Sequence, residues 1–291
     1  MNTPLIPTLA LSMLLALPAP AAGGGAAPVK VERKTCKADD GVTLVYSVCG
    51  KGEPALVFIH GGLADRSFWD AQLQAFGARH RVIALDLAGH GESGTDRKHW
   101  SLPAFGGDVR AVIRAEKVKK AILFGNSMGG PAAVEAALLL PGVVTGVVGV
   151  DTFHRVDERI TAEEVQARAS AFQKDFAGSV KAMTRMLFPP DADPALVAET
   201  ERRMAKTSPD ALHALFLGMA GYDMGAAVRR LTVPLRVING DLFPTDTAAN
   251  RKVKPDFEAV IMPHTGHYPM LERPGEFNRL VADAVKALTK P

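Results

Sequence analysis

Cysteine is nearly absent: the 291 residues include only two, Cys36 and Cys49. Two thiols can build neither a disulfide-dense mini-protein nor a four-cysteine zinc site. An excess of one charge is also missing. Lys and Arg number 34 against 31 Asp and Glu, a formal net charge of +3, and the basic residues form no stripe of the kind that binds nucleic acid. With 22% charged and 47% hydrophobic residues, the composition is not that of a disordered chain. No internal repeat and no low-complexity stretch occurs past Pro28, and the one long apolar run, residues 5–17, is interrupted and flanked by Pro4, Pro7 and Pro18. It is too short for a membrane-spanning helix. What remains is a globular chain of roughly 270 residues, enough for one large α/β domain.

The N-terminus reads as an export signal. The apolar run leads into small residues and an A-x-A-like end at Ala19-Pro20-Ala21, the pattern of a cleaved leader. No Lys or Arg precedes Lys30, which departs from that pattern, and no Cys follows the run to carry a lipid anchor. Residues 1–28 are therefore expected to be a signal peptide and small-residue linker. The mature chain would start between Ala21 and Pro28, in the periplasm or outside the cell, with no stable membrane insertion. An oxidising compartment permits a disulfide, but the spacing argues against one. Residues 29–36 and 42–48 read as a hairpin closed by Asp40-Gly41. Cys36 then faces Val45, and Cys49 lies roughly 13 Å further along the strand. A disulfide spans about 4.4–6.8 Å between Cα atoms, so two free thiols are expected.

Beyond the hairpin, apolar runs at 55–59, 81–85, 120–124, 143–150, 234–239 and 257–262 alternate with helical patterns. Strands apolar on both faces, separated by helices, make a parallel sheet covered on both sides. The alternation breaks once, between Val150 and Pro234, where no strand signal occurs. This stretch reads as four helices. Thr161-x-x-Glu164 is a capping box, Ser179 is a candidate cap, and Asp193-Pro194 and Ser208-Pro209 each read as an N-cap followed by proline. Five methionines fall here (183, 186, 204, 219, 224). Any one of them is ordinary core; as a group they suggest an adaptable apolar wall. The organisation expected is a core of 29–151 and 231–291, with a helical cap insert at 152–230.

The chemistry concentrates at strand ends. Gly125-Asn126-Ser127-Met128-Gly129-Gly130 follows one strand and opens a helix, the setting in which G-x-S-x-G holds a serine nucleophile. The helix N-terminus turns its free N–H groups toward a developing oxyanion. His60-Gly61-Gly62 follows the strand at 55–59, and the backbone N–H of Gly62 is assigned as an oxyanion donor with that of Met128. His60 itself reads as structural. The general base is assigned to His267 in Thr265-Gly266-His267-Tyr268-Pro269, after the last strand, ahead of its neighbour His264.

These motifs together resemble the α/β-hydrolase family. His60-Gly61-Gly62, the turn at 86–93 (Asp-Leu-Ala-Gly-His-Gly-Glu-Ser), the serine elbow and Gly266-His267-Tyr268-Pro269 occur in the family's order over about residues 30–290. The resemblance implies a mostly parallel eight-stranded sheet with helices on both faces and an inserted helical cap. It implies a serine hydrolase acting on an ester or similar acyl bond of a small molecule, with no cofactor and no metal. A serine at the elbow argues against the branches with an Asp nucleophile. Alternatives on the same fold are a C–C hydrolase of ring-fission products, whose carboxylate would need cations such as Arg155, Arg159 or Arg185, and a small-molecule receptor.

The family places its triad acid three residues past a Gly after the strand that follows the cap, but here that residue is Phe243. Asp241, Asp246 and Asp151 are the choices. Asp241 is favoured because it leaves the strand end directly. Asp246 reads as a helix N-cap, and Asp151 ends the preceding strand.

Overall fold

Most of the apolar runs are buried on both faces at the centre of one sheet, while the last, at 257–262, forms its edge with Val260 and Ile261 exposed. In the computed structural model, which describes residues 28–159 and 161–290, the strands are β1 (Glu32–Lys37), β2 (Thr43–Cys49), β3 (Ala55–Ile59), β4 (Val82–Leu85), β5 (Ala121–Asn126), β6 (Val144–Val150), β7 (Leu235–Gly240) and β8 (Glu258–Met262). They form an eight-stranded sheet in the order β1-β2-β4-β3-β5-β6-β7-β8. β1, β2 and β4 are joined by antiparallel pairings and β4 through β8 by parallel ones. β3, β4 and β5 are buried along their whole length. The order turns back at β3, which lies between β4 and β5, and ligand sites open at the carboxyl ends of strands at such a point.

The helices are α1 (Asp70–Phe76), α2 (Leu102–Ala115), α3 (Gly129–Leu139), α4 (Ala162–Lys174), α5 (Phe176–Met186), α6 (Pro194–Met204), α7 (Pro209–Gly218), α8 (Met224–Arg230), α9 (Thr247–Val253), α10 (Pro269–Glu272) and α11 (Pro274–Leu288). α1 packs on α11 and α2 on α3, and the strands between them supply the core. Phe58 illustrates its density: the ring stacks on Phe124 at 4.8 Å and tilts against Trp69 at 5.1 Å. Among the described residues no helix is long and apolar enough to cross a membrane. The expected export leader lies outside the described residues.

Two local expectations change. The hairpin pairs Cys36 with Leu44 instead of Val45. Its loop takes three residues, with Gly41 at φ +88° and Ala38 N–H donating to Val42 O at 2.9 Å, a glycine-bulge loop in place of a two-residue turn. Both cysteines are free.

Among the described residues, the stretch between β6 and β7 holds five helices, α4 to α8, rather than four. α4 begins with the Thr161–Glu164 capping box, and Asp193 and Ser208 cap α6 and α7 ahead of their prolines. Ser179 caps nothing. α5 starts a turn earlier, where the Asp175 carboxylate accepts from Gly178 N–H at 2.9 Å, and Ser179 Oγ donates to Ala171 O. The fifth helix, α8, is capped by Asp223.

Three contacts tie this insert to the segments around the strand ends. The Arg203 guanidinium lies 4.0 Å over the Phe68 ring and donates to Ser67 Oγ at 2.6 Å. Tyr222 Oη donates to Glu135 at 2.7 Å. The backbone N–H of His267 donates to Leu187 O at 2.8 Å.

Candidate active site

Ser127 sits between β5 and α3 at φ +51°, a left-handed conformation that costs a non-glycine residue about 1–3 kcal/mol. Its surroundings hold it there. Ser127 N–H donates to Val150 O at 3.1 Å, and Ser127 O accepts from Gly130 N–H at 2.9 Å. A Cβ on Gly125 would stand 2.2 Å from Gly129 O, so only glycine lets α3 fold back this tightly on the strand. Asn126, fully buried, donates from Nδ2 both to Val150 O and to the carbonyl of His267, at 2.9 and 3.0 Å. The residue before the serine thus ties the histidine loop to the elbow. Nothing local in the sequence marks that role.

The first oxyanion candidate lies on the loop after β3. His60 is buried at its base, donating from Nδ1 to Gly61 O at 2.7 Å and accepting Leu87 N–H on Nε2 at 3.0 Å. Burial pushes its pKa down to about 4, so the ring is a neutral strut, as the sequence reading holds. Gly61 packs on the elbow, where a Cβ would come within 3.0 Å of Ser127 Cβ. The N–H groups of Gly62 and Met128 donate to no protein acceptor among the described residues, and both residues line the cavity that Ser127 opens into.

His267 follows β8 and reaches the same cavity. Its loop is clamped by Glu272, whose carboxylate accepts Gly266 N–H at 2.8 Å and Tyr268 N–H at 2.9 Å. His264 is exposed and takes no part.

The partner of the imidazole is Asp151. His267 Nδ1 stands 2.5 Å from Asp151 Oδ2, while Oδ1 accepts Gly240 N–H at 2.9 Å. Asp151 is 1% exposed and held at φ +45° directly after β6. Burial raises the carboxyl pKa, but the contacts from His154 and His267 more than offset that and hold it below its usual range. With a carboxylate on Nδ1, the ring proton sits there and Nε2 is left as the acceptor.

The assignment of the acid to Asp241 is corrected. Asp241 points outward and accepts the N–H groups of His264 and Thr265 at 2.9 and 3.2 Å. It braces the loop that carries His267 without touching the ring. Asp246 caps α9 through Ala249 N–H at 2.8 Å, and Asp86, buried, binds Arg66 and Glu92 N–H. Phe243 fills the usual place of the acid with a ring edge-on to His267, centroids 6.3 Å apart.

The cavity has a volume of about 600 Å³ and lies between the strand ends and the insert. Its far wall is apolar and includes Met183, Met186, Leu215, Phe216 and Met219. Of the five insert methionines, 183, 186, 219 and 224 line it, whereas Met204 is buried under Thr184 and Tyr268. Of Arg155, Arg159 and Arg185, only Arg155 reaches the cavity, and it pairs with Asp157 at 3.0 Å. Among the described residues no group of three or more His, Cys, Asp and Glu is arranged to hold a metal ion.

The parallel sheet, the strand–turn–helix serine and the histidine after the last strand define an α/β-fold hydrolase. The chain belongs to the alpha/beta hydrolase family, whose pattern matches residues 56–280. It is similar to 3-oxoadipate enol-lactonase 2 of Acinetobacter baylyi, with 27% identity over 270 residues covering 89% of this chain and 98% of that one. It is also similar to the pimeloyl (acyl-carrier protein) methyl ester esterase of Nitrosospira multiformis, 26% identical across 81% of this chain and 95% of that one. The solved structure of a thermophilic esterase from Thermogutta terrifontis shares the fold, with a TM-score of 0.80, 24% identity and coverage of 89% and 100%.

Proposed function

We propose that this hydrolase cleaves an ester or similar acyl bond of a small, largely apolar substrate through an acyl-enzyme on Ser127. The observation that carries the reading is the buried Asp151 carboxylate 2.5 Å from His267 Nδ1, beside a strained serine in the same cavity. Asp151 fixes the tautomer and stabilises the imidazolium. His267 Nε2 takes the hydroxyl proton as Ser127 Oγ attacks the acyl carbonyl, then delivers it to the departing alcohol. Ser127 Oγ carries no hydrogen bond among the described residues, and such a serine–histidine contact commonly tightens only with substrate in place. The free N–H groups of Gly62 and Met128 stabilise the tetrahedral oxyanion. Water then releases the acid by the same steps.

The five-helix insert acts as the cap. Its methionine-rich wall faces the substrate, and a cavity of about 600 Å³ suits a small molecule rather than a polymer. The lactonase and methyl ester esterase likenesses support a carboxylic ester or lactone. The test is a panel of p-nitrophenyl esters from C2 to C16 with wild type and Ser127→Ala. Turnover that depends on Ser127 is expected for some chain lengths. Rates no higher than the Ser127→Ala background across the panel would reject the reading.

A further inference from the structure

A second imidazole stands on the acid. His154 leaves β6 three residues after Asp151, and its Nε2 lies 3.7 Å from Asp151 Oδ2, the same oxygen that His267 Nδ1 approaches to 2.5 Å. Its other nitrogen is engaged as well: His154 Nδ1 is 3.2 Å from Thr245 Oγ1. That hydroxyl accepts from Asn239 Nδ2 at 2.9 Å, and Asn239, fully buried, is fastened to both the N–H and the carbonyl of Thr152. The amide takes one lone pair of Thr245 and leaves its proton free to go to His154 Nδ1; in that tautomer the Nε2 proton of a neutral ring faces Asp151. Phe243 packs edge-on against both imidazoles, with centroids 5.9 Å from His154 and 6.3 Å from His267. The place the family usually gives to the acid is occupied by a ring that touches both histidines.

Other charged residues lie on each segment beside His154. Its own strand exit carries Asp151, Arg155 and Glu158, with Arg155 turned to Asp157 at 3.0 Å. The segment after β7 brings Asp246, whose N–H donates to His154 O at 2.9 Å, and the histidine loop brings His267 with Glu272 behind it. Of these, the Asp151 carboxylate is the charge within 4.0 Å of a His154 ring nitrogen.

We propose that His154 is a positioning residue that sets how much of the Asp151 charge reaches His267: neutral, it leaves the carboxylate to the catalytic imidazole, and protonated, it draws that charge away and shuts the site down. A cation beside Asp151 weakens support for the His267 imidazolium that forms as Ser127 attacks, and it repels that imidazolium directly. Either of two protonations therefore silences the site on the acid side, where only one is available with a single histidine. This inference rests on the proposed serine-hydrolase function.

The experiment is the pH dependence of kcat/KM on the best p-nitrophenyl ester for wild type, His154→Gln and His154→Phe, with Ser127→Ala as background. Wild type is expected to fall on the acid side with a log–log slope that steepens from 1 toward 2 as the pH drops. Both variants are expected to fall with a slope of 1 and to keep at least threefold more of their plateau activity at pH 5. Variants that lose the same factor at every pH, with the acid limb unchanged in slope and midpoint, would show a merely structural His154 and overturn the proposal. Turnover indifferent to Ser127→Ala would instead overturn the proposed function. The His267 Cε1–H titration, followed by NMR, asks the same question without substrate. It is expected to move to higher pH in His154→Gln, and a midpoint that stays in place also overturns the proposal.

Discussion

The Phe243 ring meets the His267 imidazole at 88°, centroids 6.3 Å apart, while the Asp151 carboxylate takes the Nδ1 face of the same imidazole. An apolar edge on one side and a buried anion on the other leave Nε2 as the only ring nitrogen free to act. Removing the anion removes the orientation, so Asp151→Asn is expected to lower kcat by on the order of 10⁴, as in the serine-protease case. Asp241→Asn weakens only the brace on the His264–Thr265 backbone and is expected to keep more than a tenth of wild-type kcat. Steady-state kinetics beside melting curves checks both. An Asp241→Asn enzyme that is folded yet inactive would reverse the assignment.

Two adjacent glycines should behave oppositely. A Cβ at Gly62 meets nothing within 4 Å, whereas at Gly61 it comes to 2.9 Å from Asn126 Oδ1 and 3.0 Å from Ser127 Cβ. Gly62→Ala keeps the backbone N–H and is expected to retain kcat within a few-fold. Gly61→Ala must push the elbow aside, and displacing a donor of the proposed oxyanion site is expected to cost on the order of 10²–10³ in kcat. Equal kinetics for the two variants would remove Gly61–Gly62 from the oxyanion site.

Acid should destabilise the fold through two buried rings. Burial lowers His60 to about 4 and His90 to about 3 from an ordinary 6.5. As pH falls below 6.5 the unfolded chain takes up protons that the folded chain refuses. Stability is therefore fully present above that pH and declines by up to about 1.4 kcal/mol per pH unit for each ring. Asp108, pushed up to about 6 by burial, works in the opposite sense, because its folded form gains a proton first. The clean readout is a difference: His60→Asn should show a shallower loss of urea midpoint between pH 7 and pH 5 than wild type. Parallel curves would show that His60 does not titrate on unfolding.

The apolar wall should set chain length. Met219 lines the cavity from the insert, and Met219→Trp adds bulk there without touching the strand ends. Short acyl esters should keep their kcat/KM, while long ones lose tenfold or more. A uniform loss across the ester panel would mean that substrate does not lie along this wall.

Much of this protein was legible in the chain itself. Runs apolar on both faces read as sheet strands, although the one at 257–262 lies at the edge with Val260 and Ile261 exposed, and a serine between glycines at a strand–helix junction is reached by a tight turn. The sheet and the elbow follow from those local requirements, and the candidate base His267 is read from its place after the last strand. The insert helices followed in part: Thr161, Asp193 and Ser208 cap as their spacing predicts, but α5 starts at Asp175 because its carboxylate reaches the free N–H groups one turn before Ser179 could.

The acid did not follow, and the reason is geometric. Asp151 and Asp241 each come directly after one of two neighbouring strands, β6 and β7, and the sequence pattern favours Asp241, the one nearer the family's usual position. Asp151 leaves its strand in a left-handed turn that aims its carboxylate at a ring 116 positions away, whereas Asp241 faces its own neighbouring loop. Phe243 was the available hint, since it barred the usual position without naming the replacement. Asn126, Glu272 and His154 were equally silent, because each acts through a partner set by the stacking of strand ends. Periodicity and turn chemistry are local and can be read along the chain; which side chains meet across strand ends depends on register and on single backbone angles, which only the assembled sheet decides.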